Sequence, residues 1–381
     1  MPAAPRARKR ARRARRCGTL RATTSGSPWR WRLIKYLGSK RRLIERIVGR
    51  VEACGGVRTV LDLFSGTSRV GHALKSRGHR VHANDHNAYA HVLARCYVAA
   101  DARLWRAPAE RLIAELDRLP GRPGWFTETY CVRSRYFRPE NGARVDAVRE
   151  RIAALALEPE LEAIALTSLM EAADRVDSTV GLQMAYLKRW AARASQPLAL
   201  RVPELLAGPG SASCLDAREA AEIPADLAYL DPPYNQHSYL GNYHVWESLV
   251  RWDRPEVYGV AMKRLDVRTR ASAFNRRLEH ARAFRDVLGA LRARWLVVSF
   301  SDEGFMPLAE VRRLLAERGR VREQKIANPR HIGHKIGIHD LRGRPVGTPG
   351  PAENREHLFV VEVAATAARA RRPIPARAVS R

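Results

Sequence analysis

Four consecutive residues, Asp231-Pro232-Pro233-Tyr234, set an acid, two prolines and an aromatic ring directly after the apolar run Leu227-Ala228-Tyr229-Leu230. A proline ring has no N–H to give a sheet ladder, so a strand over the apolar run must stop at Asp231. The carboxylate is then presented at the carboxyl end of a strand, where open α/β sheets carry their ligands. The Pro232 carbonyl stays free as an acceptor, and Tyr234 offers a flat face beside it. Acid, carbonyl and ring together suit a planar base that bears an amino group. The same residues also read as a buried strand ending in a Pro-Pro turn, and only context separates the two readings.

Other acids supply that context. The β-prone run from Val57 to Leu63 carries Asp62 near its end, followed by Phe64-Ser65-Gly66-Thr67-Ser68 and a helical stretch through Leu74 and Lys75. Strand, glycine-containing turn and helix make the first unit of a nucleotide-binding α/β fold. Ser68 replaces the second glycine of the dinucleotide pattern, and no Gly-Lys-Ser/Thr is present, so NAD and ATP are both disfavoured. A second short strand, Arg80 to Asn84, leads to Asp85, 23 residues after Asp62. An acid so placed bonds ribose hydroxyls in folds of this type; alternatively both are solvated strand ends. Asp216 follows a Gly-Pro-Gly turn and is expected at the carboxyl edge of a neighbouring strand. Upstream, Lys35-Tyr36-Leu37-Gly38-Ser39-Lys40 makes a Gly-Ser turn before a helical run, with Ser39 as its cap. Lysines on both sides suit an anionic group there, although a plain structural turn reads equally well.

These residues need a scaffold to hold them. A chain of 381 residues with 45% hydrophobic content accommodates one large α/β domain with an insertion, or two domains. Its net charge of +29 points to a polyanionic partner, most naturally nucleic acid. Residues 1–28 are Arg-rich and free of acid, and are expected to be disordered. They read as a solvated tail, a DNA-binding arm or an organelle-type leader. The spacing predicts a helix over 88–115, then a break at Pro120-Gly121-Arg122-Pro123-Gly124. A mainly helical insertion over 121–210 follows, with helices around 143–156 and 158–175. There Arg133, Arg135, Arg138 and Lys188 interleave with Tyr136, Phe137, Tyr186 and Trp190, which suits phosphate contact and base stacking as well as a solvated basic face. Arg264, Arg268, Thr269, Arg270, Ser272 and Asn275 form a second basic, hydroxyl-rich stretch that suits a phosphate-gripping loop, with Arg268, Arg270 and Asn275 as candidate nucleic-acid contacts. His331 and Lys335, further candidates for nucleic-acid contact, lie in a run of period two that reads as a strand with one basic face rather than a metal site. Residues 364–381 are an Ala/Arg/Pro tail. Five scattered cysteines without a Cys-x-x-Cys pair fit a reducing compartment. No apolar run has transmembrane or signal-peptide character, so a soluble intracellular protein is expected.

Taken in order, Lys35-Tyr36-Leu37-Gly38-Ser39-Lys40, Asp62-Leu63-Phe64-Ser65-Gly66-Thr67 and Asp231-Pro232-Pro233-Tyr234 make residues 33–363 resemble the Dam-like family of S-adenosylmethionine-dependent DNA adenine-N6 methyltransferases. Ser68 departs from that family's pattern, which has a second glycine there. The resemblance implies an α/β class, Rossmann-like seven-stranded methyltransferase sheet with a helical target-recognition insertion. Residues 29–120 would form the cofactor-binding half, 121–210 the insertion and 211–363 the catalytic half. It implies S-adenosylmethionine as cofactor and no metal. Lys35, Tyr36 and Gly38 would border its methionine end. Asp62, Phe64 and Gly66 would shape its pocket, Asp85 would bond its ribose and Asp216 its adenine amine. Asp231, Pro232 and Tyr234 would be catalytic, acting on an adenine flipped out of double-stranded DNA. A monomer in the cytoplasm, at the nucleoid, is expected, with room for a companion restriction endonuclease. RNA adenine, cytosine N4 and glutamine amides are rival substrates, and a catalytically inactive DNA-binding relative is a rival of another class.

Overall fold

The computed structural model of the chain describes residues 34–36, 40–329, 338–339, 345–347 and 353–364. The Arg-rich leader, nearly all of the C-terminal tail, Gly38, Ser39, His331 and Lys335 lie outside them.

Among the described residues seven strands make one sheet. They are β1 (Thr59–Asp62), β2 (Arg80–Asn84), β3 (Gly210–Ser213), β4 (Ala225–Leu230), β5 (Ala293–Ser301), β6 (Gly319–Pro329) and β7 (Glu353–Val363), in the spatial order β3-β2-β1-β4-β5-β7-β6. The first five run parallel, and β7 runs antiparallel to both β5 and β6. Chain order reverses between β1 and β4, which places a crevice at their carboxyl ends. Register fixes what meets there: Asp62 stands beside Tyr229, so Asp62 and Asp231 reach the same edge.

Parallel strands buried on both faces read as continuous apolar runs, as Leu227-Ala228-Tyr229-Leu230 does. On one face Leu61, Ala228, Leu230, Val298 and Phe300 pack with Phe284, Val287, Leu314 and Leu315. The other core gathers Tyr89, Leu93, Tyr130, Phe137, Val148, Ile164, Leu169 and Trp246.

The helices that bear on the site are α1 (Ile44–Ala53), α2 (Arg69–Ser76), α3 (Ala88–Ala94), α4 (Ala102–Asp117), α5 (Pro139–Ala154), α6 (Pro159–Val176), α7 (Tyr239–Asn242), α8 (His244–Arg251) and α9 (His280–Ala290). The two long helices of the insertion, α5 and α6, each start on a proline, whose missing N–H costs nothing in a first turn. The single helix expected over 88–115 is instead α3, a π turn over Arg95–Ala99 and α4. The buried Lys75 ammonium donates to the carbonyls of Val98 (2.8 Å) and Ala100 (2.7 Å), acceptors that a continuous helix would have used. Asp101 then caps α4 by accepting from the Arg103 N–H. The final strand runs from Glu353 to Val363 and pairs on both edges.

Strand β3 lies so close to the π turn that a Cβ on Gly210 would overlap the Val98 carbonyl oxygen. Backbone cannot yield as a flexible side chain does. Gly210→Ala is therefore expected to cost about 1–3 kcal/mol of stability, read as a lower midpoint in urea. An unchanged midpoint would show that β3 is not held against that carbonyl.

Candidate active site

The cleft is built from the turn that follows β1. Asp62 ends the strand almost fully buried, and its Oδ2 accepts the Gly71 N–H of α2 at 3.0 Å. Its Oδ1 meets no donor among the described residues. Burial first, and then the neighbouring Asp231, push the Asp62 carboxyl up to about 7 against the pull of the Gly71 N–H. Gly66 adopts φ +50°, and its N–H reaches Asp85 Oδ2 at 3.0 Å. Asp85 Oδ1 accepts from the Asn87 backbone N–H (3.0 Å) and side-chain amide (3.1 Å). Ser68, where the dinucleotide pattern has glycine, holds φ 58°, a left-handed conformation that glycine adopts more cheaply. Tyr36 covers this turn. Its ring stacks on Tyr239 (5.2 Å between centroids) and Tyr243 (4.6 Å), and its hydroxyl meets that of Tyr89 at 3.2 Å. Tyr36, Phe64, Gly66, Asp85, Asp231 and Tyr239 share one open cleft with Asp62 and Lys40. Aromatic walls with a few convergent polar groups suit a small-molecule site.

Asp231 emerges from β4 with its side chain one-fifth exposed and 3.1 Å from the Lys40 ammonium. Lys40 is buried and also reaches Glu356 Oε1 of β7 at 3.2 Å. Burial opposes the Lys40 charge, but Asp231 and then Glu356 outweigh it and hold its pKa well above the usual lysine value. Asp231 itself is pushed up to about 6, by burial foremost, with Lys40 pulling down and Glu356 pushing up. The loop beyond is fastened carbonyl by carbonyl. His280 Nε2 meets the Pro233 oxygen at 3.1 Å, the Phe305 N–H donates to Tyr234 (2.7 Å), and the Asn275 amide donates to Asn235 (2.9 Å) and His237 (3.2 Å). Among the described residues no donor reaches the Pro232 carbonyl. The Tyr234 ring leans on Phe300 at 6.0 Å, with the Lys40 ammonium 6.0 Å from its centre.

Asp62, Phe64, Gly66, Asp85, Tyr36 and Asp231 are thus brought together, and other residues singled out in the sequence are not. The Lys35 ammonium sits 3.1 Å from both Asp174 and Asp177, paired to the insertion and away from the cleft. Asp216 is exposed and caps the short helix Ala217–Ala220 through the Arg218 N–H (2.8 Å), because β3 lies at the sheet edge beyond β2. Arg270 is no free phosphate ligand. It pairs with Glu247 (2.9 Å) and Asp266 (3.2 Å), since the fully buried Glu247 requires a cation. Asn275 is the loop clamp just described. Arg133, Lys188 and Arg268 remain exposed, while Arg135 and Arg138 stack over Trp190 at 4.7 and 5.2 Å. Pro232 is buried, and Pro233 lines the cleft. Glu356, Tyr239 and Tyr243 join the site without having stood out in the sequence. The aromatics carried a signal in Ser238-Tyr239 beside the acid motif, whereas a lone Glu inside a strand carried none.

The D12 class of N6 adenine-specific DNA methyltransferases matches residues 36–299. The chain is 29% identical over 302 residues to the type II methyltransferase M.NlaIII of Neisseria lactamica, covering 75% of this chain and 89% of that protein. It is 29% identical over 308 residues to the type II methyltransferase M.FokI of Planomicrobium okeanokoites, covering 75% of this chain and 47% of that one. It is 27% identical over 307 residues to the modification methylase LlaI of Lactococcus lactis subsp. lactis, covering 73% and 48%. The chain thus spans most of M.NlaIII and about half the length of the other two.

The raised Asp62 carboxyl has a measurable sign. Between its ordinary value and about 7 the folded state holds a proton that the unfolded chain has lost, so stability falls as pH rises through that window. An asparagine keeps the acceptor for Gly71 and has no proton to lose. The melting temperature of Asp62→Asn is expected to gain on the parent by about 2 °C or more between pH 5 and pH 8. Melting temperatures that stay parallel across that range would contradict the raised carboxyl.

Proposed function

The chain belongs to the D12 class of N6 adenine-specific DNA methyltransferases, and we propose that it takes its methyl group from S-adenosylmethionine and delivers it to an adenine flipped out of a DNA duplex. The observation that carries this reading is the Asp231 carboxylate at the carboxyl end of β4, opening into the cleft that Asp62 and Asp85 line.

The residues present fit the cofactor. Asp62 lines the cleft, and its buried, unpartnered Oδ1 suits an ammonium, as the methionine end carries. Asp85, fixed by Gly66 and Asn87, suits ribose hydroxyls, and Phe64, Tyr36 and Tyr239 supply apolar walls. When bound, the cofactor supplies a methyl group on a positively charged sulfur. Lys35 and Asp216 are not required in these roles.

The target amine is a weak nucleophile because its lone pair is drawn into the ring. Asp231 accepts one of its N–H bonds and the free Pro232 carbonyl accepts the other, which turns the lone pair toward the methyl group. Tyr234 stacks on the base. Bond formation at the nitrogen, matched by release of the methyl group from sulfur, would leave positive charge on the nitrogen until one of its protons departs; the Asp231 carboxylate stabilises that charge, and positioning and electrostatics supply the catalysis. Flipping costs a few kcal/mol, of which stacking returns about 1–3 kcal/mol.

The insertion, residues 121–210, is assigned to target recognition, with Arg133, Lys188 and the Trp190-stacked Arg135 and Arg138 as its DNA-facing cations. Among the described residues no helix is long and apolar enough to cross a membrane, in keeping with action at the nucleoid. The type II relatives support a role in protecting DNA from a companion endonuclease.

The purified chain is expected to transfer labelled methyl from S-adenosylmethionine to adenine N6 of unmethylated duplex DNA. Asp231→Ala should lower the rate at least about a thousandfold, the scale of losing a group that acts on the transition state. Methylation of RNA and not DNA would overturn the substrate, and an undiminished Asp231→Ala rate would overturn the mechanism.

A further inference from the structure

Three charges stand in a row at the edge of the sheet. Asp231 Oδ1 lies 3.1 Å from Lys40 Nζ, and Lys40 Nζ lies 3.2 Å from Glu356 Oε1. Lys40 and Glu356 are 7% and 4% exposed, so water does little to screen either one. Glu356 comes from β7, which runs against its neighbours and so brings its early residues to the edge where the parallel strands end. The Ser299 hydroxyl of β5 donates to its second oxygen at 3.3 Å. Burying a charged group is costly unless it is paired, and a strand between β5 and β6 would hold an apolar residue at this position with less cost. A charge retained there against that cost calls for a task.

Charge balance defines the task. Lys40 paired with Asp231 alone would leave the site neutral at the point where the substrate nitrogen turns cationic. With Glu356 also claiming Lys40, the trio carries one net negative charge. Taking Asp231 as the acceptor of the adenine amine, as proposed above, we propose that Glu356 is a positioning residue for methyl transfer: it draws the Lys40 ammonium onto itself and thereby keeps the Asp231 carboxylate available to the amine. The other groups facing Asp231 do not replace it. They are Asp62 from β1, Tyr229 from its own strand, Tyr234 from its own loop and Tyr239 from α7. None of these is a second carboxylate on Lys40. Removing the Glu356 charge also removes an anion that pushes the Asp231 carboxyl up, so Asp231 should then titrate at lower pH.

The test is Glu356→Gln, which keeps size and the acceptor for Lys40. Its single-turnover rate on saturating unmethylated duplex DNA and S-adenosylmethionine is expected to fall about tenfold or more. Dissociation constants for both should stay within about twofold. The acid limb of its pH–rate profile should move to lower pH, which a loss of packing would not cause. Glu356→Asp should recover part of the rate. A wild-type rate in Glu356→Gln, or a lower rate with an unmoved acid limb, overturns the inference. If Asp231→Ala is inactive in the same assay, the assignment of Asp231 stands regardless. Ser299→Ala frees the outer oxygen of Glu356 without touching any charge. It is expected to slow the reaction a few-fold at unchanged affinity, and an unaffected rate there would also count against the role.

Discussion

The ammonium of Lys40 between the carboxylates of Asp231 and Glu356 is the constraint on which this site depends. It ties the turn before α1 to the end of β4 and to the start of β7. An isolated carboxylate at the Asp231 position would take up a proton, as Asp62 tends to do. Lys40 keeps Asp231 within reach of ionisation near neutral pH, and Glu356 keeps Lys40 from neutralising it.

Sheet topology does the rest. Because chain order reverses between β1 and β4, the acids that follow β1, β2 and β4 collect at one edge. The glycine turn after β1 is held by backbone bonds from Leu63 to Tyr229 and from Ser65 to Asn84 and by two acids: Asp62 holds α2 through Gly71, and Asp85 holds Gly66. Tyr36, Tyr89, Tyr239 and Tyr243 then close the aromatic wall across elements far apart in sequence. The loop after Asp231 is fastened at Pro233, Tyr234, Asn235 and His237, and among the described residues no donor takes up the Pro232 carbonyl.

The parts legible in the sequence are those whose signal is local. Asp231 announces itself by the prolines that end its strand, Asp62 and Asp85 by strand-ending acids at nucleotide-fold spacing, and the insertion by its break of the strand–helix alternation. Long-range pairing left no such trace. Lys40 and Glu356 are 316 residues apart, and nothing near Glu356 distinguishes it from a solvated strand residue. Arg270 and Asn275 looked like surface ligands because the buried Glu247 and the loop carbonyls that they serve are contributed from elsewhere. The break in the helix after α3 depends on Lys75, whose reach to Val98 and Ala100 is a tertiary contact and not a propensity.

The charge state of Asp231 is the most direct test of the account. Carbon-13 NMR of its side-chain carboxyl, followed against pH in the free protein and assigned by loss of the signal in Asp231→Asn, reports it without reference to activity. A midpoint near 6 is expected, well above the ordinary aspartate value of about 3.9. A midpoint at that ordinary value would contradict it, since burial and Glu356 would then fail to outweigh the pull of Lys40 on Asp231.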